Sequence, residues 1–280
     1  MNKSMKKYAP IFVLPTLIAF SIGFIIPFVM GVYLSFCEFT TVNDAVFVGI
    51  KNYTKIFTDS TFVHSLWFTV LFTIVTVIVI NVFAFLVALI LTRNVPGTNL
   101  FRTVFFMPNL IGGIILGYIW QLILNGILLR FNRTLTYTEG YGFWGLVILL
   151  CWQQIGYMMI IYIAGIKNIP GELMEAAKID GATRPQLIKH VVIPMVMPSI
   201  TICTFLTLTN SFKLFDQNLA LTDGKPSHMS EMLALNIYNT FYGRPGWEGV
   251  GQAKAVIFFI MVALIAVFQN WLTRRKEVQQ

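Results

Sequence analysis

Five neutral polar side chains lie within two long apolar segments, at spacings that place them on shared helical faces. Gln154 and Tyr157 are three residues apart, and Thr207, Asn210 and Ser211 follow an i, i+3, i+4 pattern. Amides and hydroxyls beside an aromatic ring suit a sugar, because they bind its hydroxyls while the ring covers its apolar face. Such residues also join helices inside membranes, so both roles stay open for each of the five.

The segments that carry these residues are apolar enough to cross a bilayer. Charged residues make up 11% of the 280 residues and hydrophobic ones 56%, whereas soluble domains contain about 25% charged residues. Six runs reach the length of about 20 residues that a spanning helix needs, at about 11–36, 66–92, 104–129, 143–166, 191–212 and 255–273. They are too long and too uniformly apolar for barrel strands. The sequence therefore predicts an all-α polytopic membrane protein, with six transmembrane helices in a single domain over residues 1–280. Pro108, Pro194 and Pro198 lie in these runs and are expected to bend them.

Ionisable residues are expected to lie outside the six runs. The lack of Lys and Arg within them favours a neutral substrate, and the lack of mid-span Asp and Glu disfavours an ion-coupled secondary transporter. His64, His190 and His228 fall in separate loops, and the three cysteines show no metal-ligand spacing. No Gly-rich phosphate loop or nucleic-acid-binding motif is present. The sequence thus predicts no catalytic residue, no metal site, no ATP hydrolysis by this chain and no nucleic-acid partner. Asn81, Gln121 and Asn125 are expected to join helices.

Basic residues are distributed unevenly over the predicted loops. With the N-terminus inside, the inner segments hold 12 of the 20 Lys and Arg residues and four of the 12 Asp and Glu residues. The whole net charge of +8 then lies on that side. Because Lys and Arg mark cytoplasmic loops, we predict a multi-pass protein of the cell membrane with both termini in the cytoplasm. The count includes Arg275, Lys276 and Glu277.

A polar segment at about 168–194 separates the fourth and fifth runs. Pro170 is suited to a helix start, and Glu172 follows it where the helix dipole favours negative charge. Gly181 can end this helix, since glycine adopts the left-handed conformation at low cost. A second short helix is predicted at roughly 184–191. The pattern predicts a compact polar knob formed by two short helices.

The motif of this knob resembles the coupling loop of permease subunits of ATP-binding-cassette importers. It starts with Glu175-Ala176-Ala177, places Gly181 after three further residues, and closes with Val191-Val192-Ile193-Pro194. Val48–Tyr53 and Leu221–Pro226 also resemble loops of sugar-importer permeases, which include the maltose (MalF-like) type. The later segment, Gly251–Ala255 through Arg274–Glu277, resembles the multiple-sugar or raffinose type. The resemblance implies the type I permease fold and assigns coupling to the ATPase to seven residues: Glu172, Glu175, Ala176, Ala177, Asp180, Gly181 and Pro194.

The resemblance also implies the partners and the substrate. The partners are a second homologous permease subunit, two ATPase subunits that bind ATP and Mg²⁺, and an extracellular sugar-binding protein; this chain itself binds no cofactor. The expected function is import of a sugar, of oligosaccharide size, by alternating access. The alternatives are an importer permease for a non-sugar solute and an ion-coupled secondary transporter. The resemblance implies sugar binding at the positions of Gln154, Tyr157, Thr207, Asn210 and Ser211, although Gln154, Asn210 and Ser211 differ from the maltose-type residues.

Overall fold

A computed structural model describes residues 3–93 and 96–274, with the side chains of residues 3–10, 270 and 272–274 left out. Arg275, Lys276 and Glu277 of the charge count lie outside the described residues. Within them, two short strands, β1 Cys37–Glu38 and β2 Val46–Phe47, pair antiparallel. The α-helices of the described residues, in chain order, are α1 Lys3–Phe20, α2 Ile26–Leu34, α3 Lys51–Thr58, α4 Ser60–Leu91, α5 Thr98–Phe106, α6 Gly113–Leu128, α7 Glu139–Lys167, α8 Gly171–Ile179, α9 Arg184–Leu187, α10 Ile193–Met195, α11 Met197–Phe212, α12 Asp216–Leu221, α13 Leu233–Gly243 and α14 Glu248–Arg274.

Six helical segments correspond to the six predicted spans. Five are single segments long and apolar enough to cross a membrane: Ile11–Leu34, Ser60–Leu91, Gly113–Phe131, Glu139–Lys167 and Glu248–Gln269. The sixth is a pair, Arg184–Met195 and Met197–Phe212, bent by 72° where the two helices meet. Prolines account for this bend, because Pro194 cannot donate a backbone hydrogen bond and Pro198 favours the start of a new helix.

The predicted start of the third span is wrong. The third span was expected from about residue 104, but α5 ends at Phe106 and a 3₁₀ turn at Met107–Leu110 separates it from α6. Pro108 lies in this turn and cannot donate a backbone hydrogen bond, and the chain leaves the helical conformation just after it, at Ile111 and Gly112, which are extended. The segment expected to be a long external loop, about 213–254, contains the short helices α12 and α13 and the start of α14.

The described chain forms two compact units. The first comprises the residues up to Ser60 together with Ile237–Ile260, and the second comprises Thr61–Asn236 and the residues from Met261 onward. In the first unit, the rings of Phe28 and Phe259 lie 4.8 Å apart, so α2 packs against α14.

Lys254 of the first unit corrects an expectation from the sequence. The sixth apolar run was expected to start at residue 255. The spanning segment instead starts at Glu248 and so includes Lys254, which is fully buried. Its Nζ donates to Asp59 Oδ2 at 2.8 Å and to Thr240 Oγ1 at 2.7 Å. A buried ammonium is tolerated where a carboxylate and further hydrogen bonds compensate its lost hydration. The spans therefore do contain a basic residue, but it is held in an ion pair.

In the second unit, α7 is the element that the other helices surround. Its most apolar stretch is 67% buried, against 28% for Ser60–Leu91 and 11% for Gly113–Phe131. Helix α5 approaches it closely at Gly156, where any Cβ would collide with the backbone carbonyl of Phe105. Polar residues in the middle of α7 consequently face other parts of the protein.

Candidate substrate pathway and coupling segment

Two of the five predicted substrate residues line a common cavity. Gln154 on α7 and Asn210 on α11 face a cavity of about 380 Å³, a size within the range of small-molecule sites. Asn210 Nδ2 donates to Gln154 Oε1 over 3.4 Å, a long hydrogen bond. Each amide has more donor and acceptor sites than this one bond uses. The pair can therefore exchange it for bonds to the hydroxyls of a neutral solute.

Three further polar residues at this cavity were missed by the sequence reasoning. Lys213, Asp216 and Gln217 line it, and Gln217 Nε2 donates to Gln153 Oε1 at 2.9 Å. Residues 213–217 were assigned to an external loop, so their proximity to α7 could not be expected. The cavity thus combines neutral amides with one ammonium and one carboxylate.

A glycine pair in α6 explains how these residues come to the cavity. A Cβ at Gly113 would lie 2.8 Å from Asp216 Cβ, and one at Gly117 would lie 2.7 Å from Ala220 Cβ. Real side chains do not approach so closely, so only glycine lets α12 pack directly on α6. Small residues four apart in an apolar helix are a known signal of close helix packing. This spacing could have marked that face of α6 as a close-packing surface beforehand, but it does not identify α12 as the segment that packs there.

Thr207 and Ser211 point away from the cavity towards α4. Both are fully buried; Thr76 Oγ1 donates to Ser211 Oγ at 2.9 Å, and Asn81 Nδ2 donates to Thr207 Oγ1 at 3.3 Å. Tyr162 extends this network with a 2.8 Å hydrogen bond to Asn81 Oδ1. In this conformation Thr207 and Ser211 join helices α4 and α11, which was the alternative role that the sequence left open.

Tyr157 takes a third position. It is half-buried on α7, its ring centroid lies 6.3 Å from that of Phe106, and among the described residues it does not line the cavity. The five predicted residues are therefore divided over three environments, and their roles towards a substrate stay predictions. Gln121 and Asn125 do join segments as expected, through hydrogen bonds to Leu221 and Leu135.

The first helix of the polar knob has the predicted start and end. Helix α8 begins directly after Pro170, with Glu172 in its first turn. It ends at Ile179, and Gly181, the residue after its C-cap Asp180, has a φ of +80°. The N–H of Gly181 donates to the Lys178 carbonyl at 3.1 Å, and that of Ala182 to the Ala177 carbonyl at 3.0 Å. This pair of bonds is the Schellman motif, which closes a helix by means of a left-handed residue.

The second helix of the knob is capped at its start. Thr183 and Gln186 form a capping box, in which the backbone N–H of Thr183 donates to Gln186 Oε1 at 2.8 Å. Helix α9 then continues through a π-helical turn, Ile188–Val192, into α10. The helix expected at roughly 184–191 is confirmed, and it leads to the 72° bend before α11.

The knob exposes apolar side chains as well as the predicted coupling residues. Glu172, Glu175, Ala176 and Asp180 are exposed, and Ala177 is half-buried. Ile179 is 86% exposed. Leu173 on the same helix is 44% exposed. Burying these two side chains against another surface would remove apolar area from water.

Comparison with known proteins identifies the family. The profile of the family described as "Binding-protein-dependent transport system inner membrane component" matches residues 82–278. The chain belongs to this family. The family is a component of transport systems, so the chain is an inner-membrane transport subunit and not an enzyme.

Relatives and solved structures agree with this family. The chain is 44% identical to the probable starch degradation products transport system permease protein AmyD of Thermoanaerobacterium thermosulfurigenes, over 96% of this chain and 94% of that protein. It is 29% identical to the multiple sugar-binding transport system permease protein MsmF of Streptococcus mutans, over 99% of both chains. A chain of a bacterial ABC transporter involved in alginate import superposes with a TM-score of 0.82 at 20% identity, over 98% of both chains. The predicted all-α permease fold of ATP-binding-cassette importers is confirmed.

Proposed function

We propose that this chain is the permease subunit of an importer that moves a sugar of oligosaccharide size into the cell. The observation that carries the proposal is the cavity between α7 and α11, where the amides of Gln154 and Asn210 face each other. Neutral amides match sugar hydroxyls in donor and acceptor capacity. The relatives named for starch degradation products and for multiple sugars support this substrate class.

The whole chain, residues 1–280, acts in this proposal as one membrane-embedded permease domain with both termini in the cytoplasm. It pairs with a second, homologous permease subunit and receives the sugar from an extracellular sugar-binding protein. Two ATPase subunits bind ATP and Mg²⁺, and this chain binds no cofactor. Transport proceeds by alternating access, in which the cavity opens first to the outside and then to the cytoplasm.

The coupling role falls on the knob, residues 168–194, which contains the short helices α8 and α9. Glu172, Glu175, Ala176, Ala177, Asp180, Gly181 and Pro194 form its proposed coupling set. The exposed side chain of Ile179 supports docking, because burying it in a groove of the ATPase removes apolar surface from water. The Schellman motif and the capping box hold the knob in one shape, so a displacement of the ATPase is passed on to α7 and α11.

Uptake in a strain deleted for this chain tests the proposal. Radiolabelled maltotriose uptake should depend on the chain, and unlabelled oligosaccharides should compete while methionine and sn-glycerol 3-phosphate should not. If a non-sugar solute competes and no sugar does, the alternative is supported, in which the chain belongs to an importer of another solute. Uptake driven by an ion gradient without ATP would instead support a secondary transporter.

A further inference from the structure

A second cavity lies next to the knob, within the compact unit that contains Thr61–Asn236, and four basic side chains line it. It has a volume of about 470 Å³ and is lined by Arg93, Lys167, Lys178 and Arg184 among other residues. No described residue contributes a carboxylate to its lining. The salt bridges among the described residues include none of these four side chains. All four side chains are exposed, so water and salt screen their mutual repulsion in part, and an anion bound between them would lower it further.

The other walls of the cavity are apolar. Leu89 and Ile166 belong to the last turns of the spanning helices α4 and α7, and Val192 contributes a nearly buried side chain. The cavity therefore lies where two spanning helices end, with basic residues and apolar residues side by side. An occupant that fits must combine a negative headgroup with hydrocarbon.

We propose that this cavity binds the phosphate headgroup of an anionic glycerophospholipid, with the apolar wall in contact with the start of an acyl chain. Basic pockets at the cytoplasmic ends of spanning helices bind lipid headgroups of this kind. A zwitterionic lipid fits less well, because its ammonium group would face four cations. The placement in the inner leaflet rests on the orientation proposed above.

The site has a consequence for the knob. Met174 and Lys178 are four residues apart on α8 and both line the cavity, whereas Glu172 and Ala176 lie on the opposite face of this helix. A bound headgroup thus contacts α8 from the side away from Glu172 and Ala176, two residues of the proposed coupling set. It would hold the helix in place and leave these two residues free to contact the ATPase.

Lipid binding by the purified, complete transporter tests the proposal. Native mass spectrometry would measure the affinity for short-chain phosphatidylglycerol, for phosphatidylcholine of equal chain length, and for glycerol 3-phosphate. We expect phosphatidylglycerol to bind at least tenfold more tightly than either. Each removed cation should weaken its binding about 5-fold, so Lys167→Gln combined with Arg93→Gln should weaken it about 25-fold.

Lys189→Gln is the matched control. Lys189 is an exposed basic residue of the polar segment 168–194, as Lys178 and Arg184 are, but it does not line the cavity. An equal loss in this control would overturn the proposal in favour of general surface attraction. Glycerol 3-phosphate that binds as tightly as the lipid would show that a soluble phosphate compound is the ligand. Phosphatidylglycerol that binds only after the ATPases are removed would show that a partner protein occupies the cavity. The assay needs no transported sugar, so its failure is distinguishable from failure of the uptake assay.

Discussion

Replacing Gly181 by valine isolates the contribution of knob geometry to transport. Gly181 has a φ of +80°, and a Cβ built there has no atom within 4 Å. The substitution therefore causes no collision, and its effect comes from the backbone alone. The left-handed conformation costs an ordinary residue about 1–2 kcal/mol, and a β-branched residue is less compatible with it still. A cost of this size lowers the population of the closed Schellman turn about 5- to 30-fold.

The predicted result is loss of coupling with retained insertion. Gly181→Val should lower the amount of sugar imported per ATP hydrolysed, because a frayed α8 no longer passes the movement of the ATPase to the spans. The assay uses the complete transporter in proteoliposomes, with sugar uptake and phosphate release measured in the same sample. Gly181→Asn should retain most of the coupling, since asparagine tolerates the left-handed conformation.

Gly171→Val is the matched control for this experiment. Gly171 begins α8, also has open space around a Cβ, and does not have a positive φ. Valine there changes side-chain volume on the same helix without straining its end. If Gly171→Val and Gly181→Val impair coupling equally, or if both leave it unchanged, the geometric argument is refuted.

Four further predictions concern the cavity, the helix contacts and the topology. Asn210→Ala should reduce uptake several-fold, because it removes hydrogen bonds worth about 0.5–1.5 kcal/mol each. Thr209→Ala is the control, since Thr209 lies on the same helix outside the cavity lining, and it should leave uptake unchanged. Equal uptake by both variants would contradict a substrate role for Asn210. Thr207→Val should lower the thermal stability of the complex by about 1 kcal/mol with an unchanged apparent affinity for sugar, and a changed affinity would restore Thr207 to the pathway. Gly117→Leu should prevent α12 from packing on α6 and so reduce assembly, measured as the yield of intact complex, whereas a normal yield would mean that this contact is dispensable. A cysteine introduced at Ile179, which is 86% exposed, should react with an impermeant thiol reagent in inverted vesicles and not in intact cells, and labelling in intact cells would reverse the proposed topology.

The class of the protein and the ends of its short helices are readable from the sequence. Long uncharged runs predict spanning helices because lipid offers no hydrogen bonds to an open backbone. The local effects of Pro170 and Gly181 predict where α8 starts and stops, since these residues act on their own backbone conformation. The same local reasoning overestimated the third span, because it expected Pro108 to bend one continuous helix, whereas the backbone is extended at Ile111 and Gly112 and a new helix starts at Gly113.

Only the tertiary structure decided which polar residues meet. Thr207, Asn210 and Ser211 share one helical stripe in sequence, yet Thr207 and Ser211 bind α4 while Asn210 faces the cavity. Helical periodicity gives the face of a residue but not the element that covers it. Lys254 shows the same limit, because burying its charge depends on Asp59, a residue far away in the chain that the fold brings within 2.8 Å. Backbone conformation at single residues and the length of apolar segments depend on local sequence, so the sequence predicts them. The partner of each polar side chain depends on how distant segments pack, so only the tertiary structure shows it.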